Sequence, residues 1–204
     1  MLRHRPLDAL LEAFSSSDPT PGGGSAAALA GAVGASLLAM VAGLPKTRQG
    51  LADDRATLDA ARSALLSLRD TLAELVDRDT EAYDRVVSAF RLPKSTDEEK
   101  AARTVAVQTA FKGATEVPLA VMRACAAAMT HADTVAARGN PSASSDVLVG
   151  IELTAVGVRS ARYNVEINLA ALKDAEFVGR VKADADRVAR DAESVAATAR
   201  ARLA

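Results

Sequence analysis

The stretch Leu72-Ala73-Glu74-Leu75-Val76-Asp77-Arg78-Asp79-Thr80-Glu81-Ala82-Tyr83 lies in a run, from about Leu51 to Phe90, whose reading decides the fold. Leu58, Leu65, Leu72, Asp79 and Val86 recur seven apart, and so do Ala61, Leu68, Leu75, Ala82 and Ala89. Two such series side by side make one continuous apolar stripe on a long helix. Asp79 falls inside that stripe. A carboxylate at a core-facing register costs free energy unless it is paired or hydrogen-bonded, so Asp79 is either a buried structural contact or a working group. Asp77, two positions away, falls off the stripe and reads as solvated.

Upstream, Pro21-Gly22-Gly23-Gly24-Ser25 precedes an uncharged run from Ala26 to Leu44. A proline-fixed turn, three glycines and Ser25 at an N-cap position form a helix entrance whose free backbone N–H groups can accept an anion or a carbonyl. Within the run Ala27, Gly31, Ala35, Ala39 and Gly43 fall four apart, beside a bulkier ridge of Leu29, Val33, Leu37, Met40 and Leu44. A ridge without side chains lets another helix approach closely. The run is close to the roughly 20 apolar residues that span a bilayer. Ala and Gly dominate it, however, so it reads as the central helix of a bundle, with no membrane partner. Leu7, Leu10, Leu11 and Phe14 repeat at helical spacing and predict a first helix packed beside the glycine loop.

Downstream, Pro93 ends the long helix, and Ser95 or Thr96 with Glu98 or Glu99 restarts one as a cap. This next helix is expected from about Asp97 to Thr130, kinked at Pro118. Arg138-Gly139-Asn140-Pro141-Ser142-Ala143-Ser144-Ser145-Asp146 reads as a loop entering another helix capped by Ser144 or Ser145. On that helix Asp146, Gly150, Gly157, Ala161, Asn164 and Asn168 fall within roughly 60° of arc at about 100° per residue. Core faces are seldom made of Asp, Gly and Asn, so this face is expected to meet a ligand or a partner, with Val149, Leu153, Val156 and Ile167 supplying buried contacts. A last helix, about Asp174 to Leu203, has Val181, Val188 and Val195 seven apart. That weak seam suits either the bundle or a subunit contact.

With 204 residues, 3% aromatic residues and no tryptophan, the composition favours helices over sheets. The expected fold is all-α, a single-domain helical bundle over residues 1–204 with a long central Ala/Gly-rich helix. A formal net charge of -1, with Arg alternating with Asp and Glu, offers no concentrated basic surface for nucleic acid. The lone Cys125 suits a reducing cytoplasm, and no signal peptide is evident. His4 and His131 are the only histidines and no Cys/His cluster accompanies them, so neither a metal site nor a histidine triad is expected.

Taken together, the Pro21-to-Ser25 loop before a helix containing Met40-Val41, then Val76-Asp77-Arg78-Asp79-Thr80-Glu81-Ala82-Tyr83, Arg91-Leu92-Pro93-Lys94 with Glu98-Glu99-Lys100, Val117-Pro118-Leu119, Gly139-Asn140 with Ser145-Asp146, and Asn164-Val165 with Asn168-Leu169 resemble the cyclodeaminase/cyclohydrolase family. The order of motifs matches over nearly the whole chain. The resemblance implies an all-helical subunit that forms a homodimer or higher homo-oligomer, with the active site near subunit contacts. It also implies a tetrahydrofolate derivative as substrate, with no cofactor or metal. By position, it implies Asp79 as the catalytic residue and Gly22, Gly23, Gly24, Ser25, Lys94, Asn140, Asp146, Asn164 and Asn168 as substrate-binding residues. The expected reaction lies at the N5/N10 bridge: closure of 5-formiminotetrahydrofolate with loss of ammonia, hydrolysis of 5,10-methenyltetrahydrofolate to 10-formyltetrahydrofolate, or both. The competing class is a non-catalytic helical protein that binds folate or serves assembly.

Overall fold

The computed structural model describes residues 1–203, and the backbone alone of Ala52. A 3₁₀ turn (Leu2–His4) precedes α1 (Leu7–Ser15), α2 (Gly23–Ala42), α3 (Ala52–Phe90), α4 (Asp97–Arg138), a second 3₁₀ turn (Pro141–Ala143), α5 (Ser144–Leu169) and α6 (Ala175–Ala201). No strand occurs among the described residues. The apolar α2 is the centre, packed against α3, α4 and α5, while α6 closes over α4 and α5. Although α2 is long and apolar enough to cross a membrane, most of that segment is buried inside the bundle.

The stripe on α3 is the inner face of the bundle: Leu58, Leu65, Leu72 and Leu75 are all fully or almost fully buried. Against it, α2 presents small residues and thereby also admits α5. A Cβ added at Gly34 would lie 2.8 Å from the Thr154 side chain and 2.9 Å from the Gly150 carbonyl oxygen. One added at Gly157 would lie 2.6 Å from Cys125 Sγ and 3.2 Å from the Ala27 carbonyl oxygen. The two helix backbones therefore touch along this seam, which any side chain beyond hydrogen would force apart. Burial pushes the Cys125 thiol up to about 12, so here it is a packing atom.

Several expectations are corrected by tertiary contacts. Asp77 is buried, not solvated: it accepts the Leu2 backbone N–H, and its Oδ2 lies 3.5 Å from Arg3 Nε. The glycine-bearing face of α5 meets α2; Gly150, Gly157 and Ala161 are buried, and only Asn164 and Asn168 at its far end reach a cleft. Conversely, Val149, Val156 and Ile167 are exposed, because they lie about 100° around the helix from the glycine seam, on a flank that the bundle does not cover. The first helix is less committed than its periodicity suggests, since Leu10 is buried while Leu7 and Leu11 are exposed. Helix α4 runs through Pro118 without a break and continues to Arg138, beyond the expected Thr130. Its start follows expectation, with Thr96 and Glu99 forming a reciprocal capping box. At α5 no side chain caps the first turn; Asn140 instead caps the preceding 3₁₀ turn by accepting the Ser142 N–H at 2.9 Å. The seam of α6 packs on the bundle, with Val181 and Val188 buried and Asp174 capping Phe177 N–H.

Candidate active site

A cleft of about 550 Å³ opens where the N-terminus of α2, the C-terminal third of α3, α4 and the C-terminal end of α5 converge. Its polar end is formed by Gly22, Gly23, Gly24, Asp79, Asn164 and Asn168. Its walls are apolar: Ala82, Tyr83, Val86, Val87, Phe90, Phe111 and Ile167. Phe90 and Phe111 meet edge to face, with ring centroids 6.0 Å apart, and Arg103 sits over Phe90 at 5.4 Å. An aromatic-walled slot with a few polar groups at one end suits a flat heteroaromatic ligand.

The N-terminus of α2 explains how Asp79 is held. Its N-cap, Gly22, has no side chain to satisfy the first-turn donors, and Ser25 lies inside the helix rather than at the cap. The capping acceptor comes from another helix: Asp79 Oδ2 on α3 accepts the Ser25 N–H at 2.8 Å. The buried Ser25 hydroxyl has one hydrogen and two acceptors in reach, the Val76 carbonyl at 2.8 Å and Asp79 Oδ2 at 3.0 Å. Ser25 thus serves the carboxyl group from two sides. Gly24 makes room for it, because an added Cβ there would lie 2.1 Å from Asp79 Oδ1. Oδ1 has no hydrogen-bond partner among the described residues, so it is the oxygen left for a ligand.

Burial pushes the Asp79 carboxyl above the usual carboxylate range, and the two hydrogen bonds from Ser25 partly offset this. Among the described residues no basic side chain lines the cleft to hold the group as a permanent anion. A carboxyl poised in this way can take up and return a proton. The Gly23 and Gly24 N–H groups, which line the same cleft, have no acceptor among the described residues. Asn164 donates Nδ2–H to the Ser160 carbonyl at 3.0 Å, and Asn168 does so to the Ala114 carbonyl at 2.8 Å. Each amide keeps its Oδ1 and one N–H for a ligand.

Seven of the ten residues singled out in the sequence come together here, with Ser25 behind the carboxyl group and the other six lining the cleft. Lys94 is exposed in the connection between α3 and α4 and does not line it. Asn140 and Asp146 lie at the opposite end of α5; Asp146 is 18 residues from Asn164, about 27 Å at 1.5 Å per residue. Missed by sequence reading were Tyr83, Val86, Val87, Phe90 and Phe111. Tyr83 and Val86 follow Asp79 at helical spacing and share its face, a signal that was available, whereas Phe111 arrives from another helix.

The fold and cleft define a class: an all-helical bundle whose candidate acid/base is a half-buried carboxyl group set against a helix N-terminus. The chain belongs to the formiminotransferase-cyclodeaminase family, whose profile matches residues 6–187. It is 39% identical over 177 residues to a methenyltetrahydrofolate cyclohydrolase of Methylorubrum extorquens, covering 87% of this chain and 85% of that one. It is 32% identical over 202 residues to the formimidoyltransferase-cyclodeaminase of Sus scrofa, covering 99% of this chain but 37% of that longer protein. The crystal structure of a formiminotetrahydrofolate cyclodeaminase from Thermotoga maritima superposes with a TM-score of 0.89 at 25% identity, covering 100% of this chain and 98% of that one.

Proposed function

We propose that this protein is a folate one-carbon enzyme that acts at the N5/N10 bridge of tetrahydrofolate, with Asp79 as its acid/base. The observation that carries this reading is the carboxyl group itself, half-buried in the cleft and, among the described residues, hydrogen-bonded only through Oδ2, with Oδ1 left without a partner. In hydrolysis of 5,10-methenyltetrahydrofolate, a water oxygen bonds to the cationic bridge carbon and gives a proton to Asp79 Oδ1. The resulting carbinolamine is neutral. Asp79 then returns that proton to N5 as the C–N5 bond breaks, and the carbinolamine hydroxyl loses its proton to solvent, leaving 10-formyltetrahydrofolate and one net proton.

Cyclodeamination uses the same group. N10 attacks the formiminium carbon, its proton passes to Asp79, and Asp79 passes it to the amine, which leaves as ammonia. Both schemes need only proton transfers, so the reading includes no cofactor or metal. The Gly23 and Gly24 N–H groups and the Asn164 and Asn168 amides are proposed to bind the pterin, and Lys94, four residues beyond Phe90, to attract the glutamate carboxylates. The reading places the enzyme in the cytoplasm, where a single buried thiol stays reduced.

A second copy of the chain is part of the proposal. Val33 and Met40 on α2 and Val149, Val156, Tyr163 and Ile167 on α5 form an exposed apolar face, with Tyr163 69% and Ile167 71% accessible. That face adjoins the cleft, since Ile167 lines it. Val156 lies 10 residues from Asp146 and eight from Asn164. A two-fold axis near Val156, with the α5 helices antiparallel, therefore brings the Asn140 and Asp146 end of one copy to the Asn164 end of the other. Sedimentation equilibrium is expected to give a dimer or larger species; a monomer at micromolar concentration would remove this part of the reading.

The deciding experiment follows ultraviolet absorbance with 5,10-methenyltetrahydrofolate and, separately, with 5-formiminotetrahydrofolate. Accelerated loss of the methenyl band in the first cuvette is the expected result, favoured by the similarity in length and sequence to the Methylorubrum enzyme. Growth of that band with ammonia release in the second marks cyclodeaminase activity, the reading favoured by the Thermotoga structure. No change in either cuvette returns the chain to a binding or assembly role.

A further inference from the structure

Pro118 stands inside an unbroken α4 and is buried. A proline in a helix has no N–H, so the carbonyl four residues before it loses its intrahelical donor. Here that carbonyl belongs to Ala114. Ala114 lines the cleft, and its oxygen accepts the Nδ2–H of Asn168 from α5 at 2.8 Å. The interruption in one helix is thus completed by a side chain from another.

The surrounding helix ends are held independently of this bond. Gln108 Nε2 donates to the Ala171 carbonyl at 2.9 Å, and Gln108 Oε1 accepts the Lys173 N–H at 2.7 Å. These contacts fix the end of α5 against α4, so what the Ala114 carbonyl adds is the direction of one amide side chain. We propose that Pro118 is a positioning residue for the cleft: by leaving the Ala114 carbonyl free, it anchors Asn168 Nδ2 and turns the remaining amide atoms toward the ligand. The folate consequence rests on the function proposed above, whereas the anchoring itself is a property of the ligand-free protein.

The experiment combines side-chain NMR with kinetics on the full chain. In wild type the Asn168 side-chain amide is expected to be shifted downfield and protected from solvent exchange. In Pro118→Ala an N–H returns to the Ala114 carbonyl and competes with Asn168, so the protection falls about 5-fold and KM for 5,10-methenyltetrahydrofolate rises about 5-fold, with kcat within about 2-fold. Asn168→Asp, which lacks both the donor to Ala114 and the ligand-facing N–H while keeping the proline, raises KM by at least as much. Adding Pro118→Ala to it changes KM little, since both act through one bond. Unchanged protection in Pro118→Ala overturns the inference, as do additive effects in the double variant. If wild type turns over neither folate, the functional reading fails and the NMR comparison alone decides whether Pro118 holds Asn168.

Discussion

On one side of α3, Asp77 accepts the Leu2 backbone N–H and has Arg3 for a neighbour; on the other, Asp79 faces the cleft with neutral donors from Ser25. The two residues are the same chemical group, two positions apart; Asp77 is buried and Asp79 half-buried. A nearby cation compensates the charge of one, so its role is to tie the N-terminal turn to the bundle. The other has hydrogen bonds but no cation, so burial favours its neutral form and proton exchange becomes its use. Partners, more than burial, separate a structural carboxylate from a candidate catalytic one.

The sharpest way to break this comparison is Asp79→Asn. It keeps an acceptor for Ser25 but cannot shuttle a proton, so kcat is expected to fall about 10³-fold while circular dichroism and folate binding persist. Full turnover in that variant sinks the role proposed for Asp79. Gly24→Ala tests the same side through the backbone. The new Cβ meets Asp79 Oδ1 at 2.1 Å, so the carboxyl group must move, and a fall of about 10²-fold in kcat is expected.

Asp77→Asn tests the other side. It leaves Arg3 with Glu74, 3.3 Å away, as its remaining counter-charge and weakens the tie to the Leu2 N–H, so it should lower stability to denaturant by about 1 kcal/mol, with kcat within about 3-fold of wild type. A loss of activity as large as that of the Asp79 variant would erase the distinction. The smallest effect is in the pH dependence of stability. Because the folded Asp79 carboxyl binds its proton more tightly than in the unfolded chain, its contribution to stability falls as pH rises from about 4 through its folded pKa. Asn has no such dependence. The Tm of Asp79→Asn minus that of wild type should therefore grow over this range and then level off. The depressed carboxyls of Asp174 and Asp184 act in both proteins and cancel in the difference.

The sequence made the α3 stripe legible because its leucines are numerous and regularly spaced, and Asp79 was conspicuous as the one charge in that register. Asp77 was misread because its partner is Leu2, 75 residues away. Ser25 looked like a cap because it follows three glycines, yet an aspartate from α3 satisfies that turn. The small residues of α5 carried a real signal with two meanings, close helix contact or ligand contact, and the structure divides them: Gly150 and Gly157 take the first, Asn164 and Asn168 line the cleft. Which α5 stripe faces outward was not legible either. Val149, Val156 and Ile167 are as apolar as a core seam, and the packing of α5 against α2, α4 and α6 decides the rotation of the helix.

That contact reverses the usual scale of mutational tolerance. In most of a protein, replacement by alanine deletes atoms, and the damage is a void. Along the seam of Gly31, Gly34, Gly150 and Gly157, alanine is the oversized residue, and neighbouring side chains or backbone must yield to it. The seam also sets the spacing between the start of α2 and Asn164. A scan in which every position receives a methyl group would therefore map, along these two helices, how far the site can be pried open before it fails.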